Sequence, residues 1–62
     1  MSEYSVWLFN GTENINVSSF GENIDAAREH FAIMCEQVPV GYSVYLCEEC
    51  SMGGASLASF TR

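Results

Sequence analysis

Between Asn23 and Pro39 the chain reads Asn-Ile-Asp-Ala-Ala-Arg-Glu-His-Phe-Ala-Ile-Met-Cys-Glu-Gln-Val-Pro, and an amphipathic helix is what that pattern fits. Ile24, Ala27, Phe31, Met34, Cys35 and Val38 recur at steps of three and four, which aligns them in one apolar stripe. Asn23 is a good N-cap, because its side-chain oxygen accepts from an unpaired N–H of the first turn. Asp25 then sits where the helix dipole favours negative charge. Pro39 lacks an N–H and pushes Val38 out of the helical region, so the helix stops there.

The polar residues of this helix fall on one flank. With Ile24 at zero and about 100° per residue, Asp25, Glu36 and Glu29 lie near 100°, 120° and 140°. Glu22 extends the stripe if the helix begins early. Arg28, near 40°, borders the apolar stripe within reach of Asp25 and Glu29. Ile33 lies near 180°, opposite the core stripe, and is expected to be exposed or covered by a partner.

A helix of this length needs a sheet to lie on. Tyr4 to Phe9 is aromatic and aliphatic and reads as a strand. Asn10-Gly11 comes next, a strong hairpin signal. A two-residue turn there pairs Phe9 with Thr12, Val6 with Ile15 and Tyr4 with Val17, and leads into a second strand from Thr12 to Ser18. Residues 19–22 connect to the helix, with Ser19 and Glu22 as an alternative capping box and Phe20 as an apolar anchor. Val40-Gly41 turns the chain, and Tyr42 to Cys47 alternates as a third strand. Residues 48–54 read as a loop. Ala55 to Phe60 reads as a weaker fourth strand in which a bulge, or fraying near the C-terminus, accounts for the opposite parity of Leu57 and Phe60.

The expected fold is α+β: one domain over residues 1–62, β-β-α-β-β, about four antiparallel strands under one helix in a two-layer sandwich. Tyr4, Val6, Leu8, Ile15, Val17, Tyr42, Val44 and Leu46 are expected beneath the helix. Trp7, Phe9, Tyr45 and Phe60 are expected on the uncovered face, where a contiguous aromatic patch marks an interaction surface.

Charge narrows the partners. The 62 residues carry eight Asp+Glu against two Lys+Arg, a net charge of −6, and no lysine. That balance opposes direct nucleic-acid binding and anionic membrane surfaces. It suits a basic protein partner reached by electrostatic steering, and it also keeps a small protein soluble. No apolar run approaches the length of a membrane span, and no basic-then-apolar leader is visible, so a cytoplasmic protein is expected.

Catalytic and metal chemistry find little support. Cys47-Glu-Glu-Cys50 is a C-x-x-C, but zinc wants a second ligand pair. His30 and Cys35 differ by about 140° around the helix and cannot jointly supply it. A redox pair belongs at a helix N-terminus, whereas this one comes after a strand. Three cysteines suggest no disulfide framework. His30 has no nucleophile partner in the sequence, Glu48-Glu49 reads as a solvated pair, and Gly53-Gly54 lacks the lysine of a phosphate loop. The chain is read as non-enzymatic, with no cofactor and no metal; Cys47 and Cys50 are the residual metal candidates.

The residues Asn-Ile-Asp-Ala-Ala-Arg-Glu-His-Phe (23–31) after a short hairpin, then Gly-Tyr-Ser-Val-Tyr-Leu-Cys-Glu (41–48), resemble in layout the tiny acidic accessory proteins of bacteriophages, several anti-CRISPR inhibitors among them. The resemblance is one of size, acidity and β-β-α-β-β build, and carries no individual residue over. It implies a protein that binds and blocks a host nucleic-acid machine in the host cytoplasm, as a DNA mimic does. On the residues themselves, the acidic contact surface is Asp25, Glu29 and Glu36, extended by Glu48 and Glu49. The apolar contact or homodimer surface is Trp7, Phe9 and Tyr45, with Ile33 on the helix. The alternatives are a self-associating subunit that packs through its aromatic sheet face, and a small zinc-stabilised module built on Cys47 and Cys50.

Overall fold

A computed structural model describes residues 2–50 and 53–62, with only the backbone at Cys50. The order is β1 (Glu3–Phe9), β2 (Asn14–Ser19), α1 (Ile24–Gln37), β3 (Ser43–Cys50) and β4 (Gly53–Thr61). The four strands form one antiparallel sheet in the order β2-β1-β3-β4. The helix carries the chain from the outer strand β2 across β1 to β3, and it packs on the two central strands.

The helix obeys its local signals. The Asn23 side chain accepts from the Ala26 N–H at 3.0 Å. Val38 has left the helix for the extended region, with ψ 145°, as a residue before proline must. Ser19 ends β2 instead of opening a capping box, and Phe20 is a half-buried anchor packed on the core. The core is small: Val6, Ala27, Val38, Val44 and Leu46 are buried, and Tyr4, Leu8, Phe20, Phe31, Met34, Cys35, Tyr42, Ala58 and Phe60 pack around them.

The first hairpin departs from the expected register. Four residues, 10–13, separate the strands, and Phe9 pairs with Asn14, not Thr12. A two-residue turn of the expected kind needs positive φ at both Asn10 and Gly11. Only Gly11 has it, at 94°. Asn10 instead uses its side-chain oxygen to accept from the N–H groups of Thr12 and Glu13, at 2.9 and 2.8 Å. That closes a wider loop and moves the partner of Phe9 by two residues; a bulge between Leu8 and Phe9 adds a third, so beyond it the pairing is shifted by an odd number and the faces of β2 are reversed. Val17 therefore lies opposite Trp7, and Ile15 falls in a bulge where Leu8 pairs with Asn16 and Phe9 with Asn14. Both were expected beneath the helix; both are exposed, at 46% for Ile15 and 45% for Val17.

The second hairpin is longer than the sequence suggested. Glu48, Glu49 and Cys50 continue β3, paired with Ala55, Gly54 and Gly53 of β4. The centre of the expected loop, Ser51-Met52, lies outside the described residues. A register shift sets Leu46 opposite Ala58 but Cys47 opposite Ser56, so Leu57 is the extra residue. The bulge brings Phe60 opposite Val44 and under the helix, not onto the open face.

Candidate interaction surfaces

Two surfaces lie outside the core. The first is the solvent side of α1. Asp25, Glu29 and Glu36 are all exposed, as is Glu22 before the cap. Ile33 is 44% exposed. It stands four residues after Glu29 and three before Glu36, so it neighbours each of them on the helix surface. The helix thus presents an apolar side chain with carboxylates beside it, on the face turned away from the sheet.

The second surface is the open side of the sheet. Directly opposed residues of antiparallel strands share a face, so Val17, Trp7, Tyr45 and Ser59 form one row across all four strands. Phe9, Ser43 and Thr61 form the next row toward one end, and Ser5, Cys47 and Ser56 the next toward the other. Trp7, Phe9 and Tyr45 are half-buried. Ser5 and Ser43 are buried without the help of any helix, at 6% and 7% exposure. Their hydroxyls are satisfied locally: the Trp7 Nε1–H donates to Ser5 Oγ at 2.9 Å, and Ser43 Oγ and Thr61 Oγ1 share a bond of 2.9 Å. The aromatic rings lie over a floor of small hydroxyl residues. A cleft of about 200 Å³ opens beside Trp7, with Cys47, Glu49, Gly54 and Ser56 among its lining.

Glu48 and Glu49 both contribute to the lining of this cleft, but their surroundings differ. Glu48 is half-buried and accepts a bond from the Tyr4 hydroxyl at 3.2 Å. Burial, the Glu48 charge and this hydrogen bond hold the Tyr4 hydroxyl above its usual range, opposed by Arg28. Glu49 is exposed and pairs across the ladder with Glu3. Of the two expected acidic extensions, Glu49 stands free on the surface and Glu48 is engaged by Tyr4.

Cys35 and Cys47 are free thiols. Burial raises both, helped by Glu36 beside Cys35 and Glu49 beside Cys47, so neither is disposed to ionise as a nucleophile. Cys47 and Cys50 both belong to strand β3. Their backbones are therefore about 10 Å apart along it, in contrast to the single tight turn that pairs zinc thiolates. The Cys50 thiol lies outside the described residues. Among the described residues no three His, Cys, Asp or Glu side chains gather as a metal site would require, and no helix is long and apolar enough to cross a membrane.

Two contacts have no counterpart in the sequence pattern. Arg62 Nη1 donates to the carbonyls of Cys35 and Glu36, at 3.2 and 3.1 Å. It supplies the cation that the last turn of α1 lacks. His30 packs its ring 5.2 Å from that of Phe20, and its buried Nε2 has no hydrogen-bond partner among the described residues. Neither contact has a local signal, because the partners of each meet only through the tertiary fold.

No protein-family model, characterised protein or solved structure matches this chain.

Proposed function

We propose that this chain is a non-enzymatic protein-binding module whose acidic helix flank engages a basic surface on a nucleic-acid-handling protein and blocks it. The observation that carries the reading is the exposed row Asp25, Glu29 and Glu36 with Ile33 among them. An apolar anchor with a charged rim is the anatomy of a protein interface. Along the helix the carboxylates are spaced about 6 Å and about 10 Å apart, on the scale at which phosphates recur along a nucleic-acid strand. A basic groove that holds phosphates can accept such a row.

The test is affinity capture from bacterial lysate with the wild-type chain and with the double variant Glu29→Lys/Glu36→Lys, folding of each checked by circular dichroism. The wild type is expected to retain a basic nucleic-acid-binding protein that elevated salt releases and the double variant fails to hold. Equal retention by a folded variant overturns the electrostatic reading.

A second reading is favoured by one specific observation, the exposure of Val17 and Ile15 on the sheet's outer strand. Val17, opposite Trp7, makes the uncovered apolar surface broader than Trp7, Phe9 and Tyr45 alone. In this reading two copies pack through their open sheet faces. Light scattering over a range of concentrations decides it: a monomer at the highest concentration removes it.

A further inference from the structure

We propose that the cleft beside Trp7 on the open sheet face receives an arginine side chain from a protein partner. The proposal rests on the protein-binding reading only for the source of that side chain. The cleft and the acidic helix flank lie on opposite sides of the sheet, so each is tested without the other.

The wall of the cleft is an indole held in place. Its Nε1–H is bonded to Ser5 Oγ at 2.9 Å, and Ser5 is itself buried. The ring is thereby ordered before anything binds, which lowers the entropy cost of receiving a ligand. Cys47 contributes an uncharged surface, since burial and the neighbouring Glu49 keep its thiol protonated. Glu49 lines the same cleft.

The rim of the cleft is acidic. Glu49 pairs with Glu3 across the β1–β3 ladder, and both are exposed. Like charges directly opposite each other in a sheet are destabilising. The chain has two Lys+Arg residues, and both are placed elsewhere. Arg62 is bonded to helix carbonyls, and Arg28 belongs to α1 on the other side of the sheet. Among the described residues, no cation of the chain itself reaches the Glu3–Glu49 pair. A cation from outside complements this acidic rim.

The shape and chemistry select a guanidinium. A volume near 200 Å³ holds the head of one side chain and is below the range of drug-sized ligand pockets. A planar guanidinium stacks on an aromatic face and meets a carboxylate through two parallel N–H bonds; a lysine ammonium is a compact, strongly hydrated charge that does neither as well. Gly54 keeps the mouth open. A Cβ built there lies at ordinary contact distance, 3.5 Å from the Glu48 carbonyl oxygen and 3.6 Å from Glu49 Cγ, so a larger side chain at 54 fills the cleft without forcing the backbone.

Trp7 is the single tryptophan, so its fluorescence reports the cleft directly. The experiment titrates the full chain with a short capped peptide, acetyl-Gly-Arg-Gly-amide, and with the same peptide carrying citrulline or lysine in place of arginine. The expected result is a saturable change with the arginine peptide, weakened by salt, and about fivefold or more weaker with the neutral citrulline isostere. Lysine is expected to fall between them. Glu49→Gln and Gly54→Leu are each expected to weaken the arginine peptide by about threefold to tenfold. An equal response to citrulline, or no saturable change with arginine, overturns the proposal using the wild type alone. Unchanged affinity in a folded Glu49→Gln or Gly54→Leu variant overturns it as well. The Glu29→Lys/Glu36→Lys variant is expected to titrate like the wild type, so loss of capture from lysate with an intact peptide response condemns neither site for the other's failure.

Discussion

Asn10 and Asn23 each turn a side-chain oxygen onto backbone N–H groups, and the outcome differs with the segment that comes next. After Asn23 an apolar-periodic segment takes up the cap and becomes α1. After Asn10 the two captured N–H groups belong to Thr12 and Glu13, and the result is a wider loop in place of a two-residue turn. Asn10→Ala is expected to destabilise the chain by about 1 kcal/mol, because two exposed backbone donors lose a directed acceptor; urea unfolding measures it. Arg62→Ala is expected to cost about 0.5–1 kcal/mol by removing a cation from the C-terminal helix carbonyls, with an unchanged m-value in the same assay. His30 stands in the opposite position. Its orphaned Nε2 is a desolvation cost without return, so His30→Leu is expected to raise the urea midpoint, by up to about 1 kcal/mol of stability. A lower midpoint would show that the ring contact with Phe20 outweighs the unpaired nitrogen.

At the scale of elements, α1 and the central strands β1 and β3 share the core, and the outer strands do not. Nearly every residue of β2 is exposed, and Val17, opposite Trp7, faces away from the helix. Amide exchange is therefore expected to be slowest in β1 and β3 and fastest in β2, with the first hairpin opening as a local unit. Equal protection across the sheet would contradict that ordering. The helix was legible residue by residue because its period, cap and stop are all local. The hairpin's existence was legible for the same reason. Its register was not: Ile15 and Val17 alternate as a core strand does, and only the bulge at Ile15, added to the two extra loop residues, sends Val17 to the other face. In β4, the clash of parity between Leu57 and Phe60 signalled a bulge or a frayed end, and only the pairing with β3 decided for the bulge and for which of them reaches the core.

For the whole molecule, charge and buried acidity set the conditions of stability. A net charge of −6 on 62 residues repels itself in the compact state. Moderate salt is expected to raise the melting temperature by screening it, and a fall with added salt would point to favourable charge pairing in its place. Alkaline pH acts through Cys35, Cys47 and Tyr4, all raised in the fold from ordinary values of 9.0 for the thiols and 10.0 for the phenol. Each has a higher pKa folded than unfolded, so its contribution is complete below the unfolded value and is lost as pH rises through the folded one. Stability is expected to decline above about pH 9, and Cys35→Ala is expected to flatten part of that decline in urea midpoints measured across the range.

The acidic flank of α1 and the exposure of Ile33 were determined by the sequence alone, since helical geometry places side chains by spacing and nothing else. The aromatic content of the open sheet face was equally legible from strand alternation in β1 and β3. The breadth of that face, the cleft beside Trp7 and the opposition of Glu3 to Glu49 were decided only by tertiary structure. They depend on which strands are neighbours and in what register, and register is set by turn hydrogen bonds and bulges whose effects run across the sheet, far beyond the residues that make them.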